Sequence, residues 1–320
     1  MSYLIGMDEA GYGPNLGPLV VSATCWYVPE AGAEMTDLYE RLSQVVTRKP
    51  KRGDDRIAIA DSKALYKSGQ GMARLEAAVL AASTLCHGPI ADATQLWDRL
   101  AADRANQRQQ LPWHEGFRIA LPVSAAADRI DRLVERLRAG LRAADVRLEG
   151  VESRAVFPAQ FNRLIVRYGT KSDALSHLSL ELLADLLAPI DSAPVCAISD
   201  KHGGRNRYAH LLEEHFPTAC IRTEREGRQE SLYRWGPDRK GVAVRFAAGG
   251  EAHLPVALAS MTAKYLRELA MRAENDFWCS RVAGLKPTAG YPVDAKRFKA
   301  QIDACQRELA IDDRLLWRTR

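Results

Sequence analysis

No apolar run in this 320-residue sequence approaches the roughly 18 residues that a membrane-spanning helix needs, so no membrane segment is expected. The opening stretch, Met1 through Met7, carries no basic region and runs at once into Asp8 and Glu9, so a secretory leader is not expected either. The six cysteines (Cys25, Cys86, Cys196, Cys220, Cys279 and Cys305) contain no Cys-x-x-Cys pair. That argues against a zinc cage or a disulfide frame and for reduced thiols in a cytoplasmic protein. The sequence has no His-Glu-x-x-His, no Gly-x-Ser-x-Gly elbow and no P-loop, which sets aside the common metalloprotease, hydrolase and NTPase templates. Internal repeats and low-complexity tracts are missing too. What is present is an ordinary globular composition, 47% hydrophobic and 27% charged, which excludes a wholly disordered chain. At roughly 100–200 residues per domain, the length suits one enlarged domain. The net charge of +5 permits a phosphate-rich partner without establishing one.

The pattern along the chain is that of an α/β protein. Residues 3–7 read as a buried strand, and the Gly/Pro-dense stretch 8–18 as a tight connection. The β-branched and aromatic run 19–28 reads as a second, antiparallel strand. Helical spacing recurs over 72–85, 125–144, 173–187, 206–215, 255–275 and 294–309, and strands are expected at 146–157, 194–199 and 242–246. Residues 29–55 read as an exposed insertion ending in the basic run Arg48-Lys49-Pro50-Lys51-Arg52, and 95–156 as a second, mainly helical one.

Four carboxylates are the candidates for chemistry. Asp8 and Glu9 close the first strand, where a desolvated acid pair is costly unless a cation balances it. Side chains alternate along a strand, so the two acids face apart unless the chain bends. Asp200 ends another short apolar strand, and in open α/β sheets functional groups gather at such ends. Glu251 precedes the 255–275 helix. All four are hard oxygen donors suited to Mg2+ or Mn2+. The glycines Gly11, Gly13 and Gly17 follow a strand as in a dinucleotide fingerprint, but Pro14, Pro18 and a strand-like run stand where that fingerprint needs a helix. His202 is a candidate proton shuttle. Ser260 and Lys264, one helical turn apart, could be a nucleophile with its base, a phosphate grip, or a packed polar face.

Five segments, taken together, resemble the type 2 ribonuclease H family (ribonucleases HII and HIII). They are Ile5-Gly6-Met7-Asp8-Glu9-Ala10-Gly11-Tyr12-Gly13-Pro14 with Gly17-Pro18-Leu19-Val20-Val21; Asp61-Ser62-Lys63-Ala64-Leu65; Ala197-Ile198-Ser199-Asp200; Ala259-Ser260-Met261-Thr262-Ala263-Lys264; and Gly290-Tyr291-Pro292. The resemblance implies a ribonuclease H-like α/β fold, a central mixed sheet flanked by helices, spanning 1–320 with insertions at 29–55 and 95–156 and a helical tail at about 294–320. It implies an endoribonuclease that hydrolyses the RNA strand of RNA/DNA hybrids with two Mg2+ or Mn2+ ions, leaving 5′-phosphate and 3′-hydroxyl ends. Asp8, Glu9 and Asp200 match the family's first three acids. Glu251 is the choice for the fourth, with Glu226 and Glu230 as competitors. Gly11, Tyr12, Gly13, Ser62, Lys63, Ser260, Lys264 and Tyr291 match substrate-binding positions.

Two departures bear on the substrate. Where ribonuclease HII has Gly-Arg-Gly this chain has Gly11-Tyr12-Gly13, and tyrosine supplies no fixed cation to a phosphate. Ribonuclease HIII also lacks that arginine but carries an N-terminal hybrid-binding domain, which is not expected ahead of a strand that starts at Tyr3. The substrate is therefore expected to be a long RNA/DNA hybrid at least as readily as ribonucleotide-containing DNA, and the protein is expected to be a monomer. The run 48–52 and Arg205, Arg207, Arg222, Arg225, Arg228 and Arg234 are candidate backbone contacts. Two alternatives remain: a nucleic-acid-binding protein of the same fold without turnover, and a metal-dependent nuclease on structured DNA.

Overall fold

The computed structural model describes residues 1–29, 36–51, 53–66, 71–101, 107–191, 193–237 and 241–319. Its strands are β1 (Ser2–Ala10), β2 (Leu19–Val28), β3 (Val46–Thr47), β4 (Ile57–Ala58), β5 (Arg147–Val156), β6 (Val195–Asp200), β7 (Arg222–Glu226), β8 (Glu230–Trp235) and β9 (Val242–Ala247). Its α-helices are α1 (Leu38–Arg41), α2 (Ser62–Leu65), α3 (Ala73–His87), α4 (Ala93–Leu100), α5 (Ala127–Ala143), α6 (Pro158–Tyr168), α7 (Lys171–Leu187), α8 (Ala209–His215), α9 (Leu254–Cys279), α10 (Pro292–Glu308) and α11 (Asp313–Leu316). Seven strands form one mixed sheet in the order β5-β2-β1-β6-β9-β8-β7, with β1, β6 and β9 parallel at its centre.

Alternation along β1 sends its side chains to two cores. Leu4 joins the cluster that contains α3, α5 and α9, whereas Ile5 and Met7 join the one built on α6, α7 and α8. Helix α9 lies directly on the sheet. A Cβ on Gly6 would stand 2.2 Å from the backbone of Pro255 and Val256, so only glycine lets helix and strand approach this closely. Thr24 on β2 donates to the Pro255 carbonyl (2.8 Å) and accepts from the Trp26 indole (2.8 Å), pinning the start of α9.

Three expectations need correction. The 29–55 segment is not merely exposed, because Leu38, Leu42, Val45 and Val46 are buried against the α9 core; residues 30–35 and 52 lie outside the described ones. The helix expected over 206–215 begins only at Ala209. The hairpin β7–β8 was not expected from the sequence. It stands on cross-strand charge pairs, Arg225–Glu230 and Arg234–Glu224 among them.

Candidate active site

The parallel pairing of β1 with β6 sets Met7 opposite Ser199, so Asp8 and Asp200 follow side by side towards the carboxyl edge of the sheet. Asp200 Oδ1 accepts from the backbone N–H groups of Gly249 (3.0 Å) and Gly250 (3.3 Å). Those two bonds fasten the 3-10 turn Gly250–Ala252, and with it Glu251, to the end of β6. Ser260, buried on α9, lies 3.2 Å from Glu251 Oε1 and 3.1 Å from Ser62 Oγ, and it also hydrogen-bonds Asp8. Its hydroxyl is thus the hub of the acids, while Lys264 is engaged elsewhere, 2.6 Å from Glu268. A nucleophile–base pairing of Ser260 with Lys264 is therefore not formed.

Strand β1 continues unbroken to Ala10, so no bend turns the two acids to one side, yet their charges interact. Burial first, then Glu9 and Glu251, holds the Asp8 carboxyl well above its ordinary range. Burial and the charge of Asp200 push Glu9 up to about 7. Burial and Asp61 raise Glu251 as well. The opposing cation is Lys63, held above its usual value chiefly by Glu251, with Asp61, Asp8 and Asp200 adding to it. Asp61 also caps α2, accepting from Lys63 N at 2.8 Å. Five carboxylates thus face one ammonium.

Among the described residues, no three His, Cys, Asp or Glu side chains already close on one point as a metal shell. The donor chemistry fits a hard divalent cation nonetheless: every donor is a carboxylate oxygen, and burial, with the neighbouring carboxylates adding to it, raises Asp8, Glu9 and Glu251. Glu226 and Glu230, the competitors of Glu251, have partners of their own. Glu226 accepts from the Tyr233 hydroxyl (2.5 Å), and Glu230 pairs with Arg225 of β7 and Arg245 of β9.

Beside the acids runs a cleft of about 360 Å³ whose lining includes Glu9, Gly11, Tyr12, Gly13, Ser62, Lys63, Lys264 and Tyr291. Of the substrate-binding positions expected from the sequence, all but Ser260 therefore meet in one place. Tyr12 packs against Gly203 on one side, and Tyr291 stands half exposed beyond Gly13. The loop is held from beneath by two arginines that sequence reasoning missed. Arg267 of α9 donates to the carbonyls of Leu16 (3.3 Å) and Ala289 (3.0 Å). Arg318, fully buried, donates to the carbonyl of Gly11 (2.5 Å) and stacks 3.8 Å from the Phe161 ring. Gly11 takes φ +93°, and a Cβ there would lie 2.4 Å from the Pro18 carbonyl oxygen. Arg267 was legible as part of the motif helix; Arg318 had no local signal at all.

His202 is not a proton shuttle. It is buried, bonded to Ser176 (3.0 Å) and Ser199 (3.1 Å), and burial pushes it down to about 3, so it stays neutral. Several candidate phosphate-gripping arginines are already paired: Arg205 with Asp173, Arg207 with Glu226, Arg225 with Glu230 and Arg234 with Glu224.

The fold and site define a mixed α/β protein with carboxylates at the ends of adjacent parallel strands. Among solved structures the chain is similar to a chain of the PCNA:RNase HII complex from Archaeoglobus fulgidus, at 15% identity and TM-score 0.43, covering 99% of this chain and 94% of that one. It is similar to ribonuclease H2 from Pyrococcus horikoshii OT3, at 14% identity and TM-score 0.41, covering 98% and 92%. A third is Bst-RNase HIII in complex with Mn2+, at 16% identity and TM-score 0.41, covering 99% and 66%. No protein-family model and no curated protein matches the chain. At these values the likeness decides nothing about chemistry, which the chain's own side chains must carry.

Proposed function

We propose that this protein is a metal-dependent endoribonuclease that hydrolyses the RNA strand of RNA/DNA hybrids, leaving 5′-phosphate and 3′-hydroxyl ends. The observation that carries the reading is the crowding of Asp8, Glu9, Asp200 and Glu251 around a single lysine at the mouth of a cleft lined by Tyr12 and Tyr291. Asp8, Glu9, Asp200 and Glu251 would hold two divalent ions, Mg2+ or Mn2+, whose charge offsets that of the acids. When bound, such ions lower the pKa of water and stabilise the charge that develops on a transferring phosphoryl group. Ser260 orients Asp8 and Glu251, and the Gly249 and Gly250 amides orient Asp200. Lys63 offers the scissile phosphate a cation, and the tyrosines flanking Gly13 offer faces to sugar and base. Discrimination against an all-DNA duplex needs a contact to the 2′-hydroxyl, the group that separates the two polymers.

The test is cleavage of a labelled hybrid with Mg2+ or Mn2+ by the wild type and by Asp8→Asn and Asp200→Asn. Each substitution is expected to lower kcat about 10³-fold, the equivalent of several kcal/mol of lost charge stabilisation, with folding intact by circular dichroism. Wild-type rates in both variants would end the proposal.

A further inference from the structure

A second groove, about 610 Å³ in volume, opens between the turn after β3 and the outer face of α5. Five of its lining residues are basic: Lys51, Arg74, Arg129, Arg132 and Arg136. Two are acidic, and Asp54 is already bound by Arg56 (2.9 Å), which leaves Asp55 facing the cations. Arg129, Arg132 and Arg136 are spaced three and four residues apart, so they share one face of α5, flanking its buried stripe of Ile130, Leu133, Val134 and Leu137, of which Leu133 also lines the groove. Arg132 leans on Asp128 at 2.7 Å. Among the described residues, Arg74, Arg129 and Arg136 make no ion pair. The paired arginines of the β7–β8 hairpin are different in kind, because their charge is already spent on neighbours.

Position links this groove to the acids. Arg48 stacks 3.8 Å over the Tyr39 ring and donates to the carbonyl of Ala252, the residue after Glu251. Lys51 follows three residues later, so the chain passes from the acid turn to the groove within about 11 Å of extended backbone. From Arg129 to Arg136 the helix advances roughly 10 Å, a length over which one strand of a duplex presents about three phosphates. A single small anion needs no such row, whereas a repeating polyanion does.

We infer that this groove is a second phosphate-backbone site, which takes the arm of the substrate duplex lying beyond the cleavage point. Its identity as the arm of an RNA/DNA hybrid rests on the nuclease reading; its affinity for a duplex backbone does not. The site belongs to α5 and the turn at Lys51, within the two segments that the ribonuclease H resemblance leaves uncovered, and it gives those segments a function.

The experiment uses the full chain, with Arg74→Ala, Arg129→Ala and Arg136→Ala combined, and Lys at the same three positions as the charge-retaining control. Binding is read by fluorescence anisotropy in chelator, with a short hybrid confined to the cleft, a long hybrid, and a long all-DNA duplex. The alanine variant is expected to lose at least tenfold in affinity for both long duplexes. Its log Kd against log salt should flatten by up to about 2.7, or 0.9 for each phosphate contact removed. Affinity for the short hybrid and kcat on it should hold, and the lysine variant should recover most of the loss. Unchanged affinity and salt slope on the long duplexes would overturn the proposal, as would an equal loss on the short hybrid. If the groove effect appears but wild type cuts no hybrid with Mg2+ or Mn2+, the groove stands and the nuclease reading falls; if hybrids are cut and the groove variant binds like wild type, the reverse holds.

Discussion

Glu9 shows how far a single carboxyl can be driven by its neighbours. Its folded value of about 7 stands above the ordinary 4.5 because burial and Asp200 disfavour the anion. Between those two pH values the native state keeps a proton that the unfolded chain has released, so stability falls as pH rises through the window. In chelator, the melting temperature of Glu9→Gln should therefore gain on that of wild type from about pH 4.5 to 7, the comparison cancelling the other titrating groups; a difference that does not change with pH would contradict the assignment. Saturating Mn2+ should raise the melting temperature of wild type more at pH 7 than at pH 5, because it binds the ionised acids of the folded state. His202 works in the opposite sense: neutral in the fold down to about 3, it costs stability only as pH drops below its ordinary 6.5.

Among the elements, the contact of α9 with β1 brings two parts of the site together, since α9 carries Ser260, Lys264 and Arg267 while β1 carries Asp8 and Glu9. Gly6→Ala places a methyl group 2.2 Å from the helix backbone, which must shift, at a cost of about 1–3 kcal/mol or more. A denaturant midpoint like that of wild type would show that the helix can give way at no cost. Elements with a strong short-range pattern were legible in the sequence: the apolar strands β1, β2, β6 and β9, and the amphipathic helix α5. Hairpin β7–β8 was not, because all five β7 residues are exposed and an alternation of arginine with glutamate reads as a polar loop. Elements α1, β3 and β4 were hidden for another reason. At two to four residues each they are too short to show a period, and what holds them is the Asp37 cap on α1, the pairing of β3 with β4 and burial. Of the candidate site, the strand-end acids and the motif lysines were legible, but the placing of Glu251 beside Asp200 rests on the Asp200-to-Gly249 tie, which no local pattern announces.

Across the whole molecule, the glycine loop at the cleft is completed by a segment remote in sequence. Asn15 and Arg318 exchange backbone and side-chain hydrogen bonds at 2.8 and 3.1 Å, Asn162 holds Trp317 O and Thr319 N, and the Arg318 guanidinium sits under Gly11. Arg318→Ala leaves the Gly11 carbonyl without its donor, a loss of about 1–3 kcal/mol. Hydrogen exchange should then quicken across residues 11–17 while the central strands keep their protection; equal protection in the loop would show that Arg267 suffices. Among the described residues no helix is long and apolar enough to cross a membrane.

The pairing of Asn15 with Arg318 spans 303 positions, and this has a consequence for the newborn chain. At about 5–20 residues per second, a ribosome that has just made Asn15 needs roughly 15–60 s to deliver its partner. Throughout that interval the nascent polypeptide lacks the clamp for the glycine loop beside Asp8 and Glu9, so the loop is completed long after its own synthesis rather than with the first folded strands.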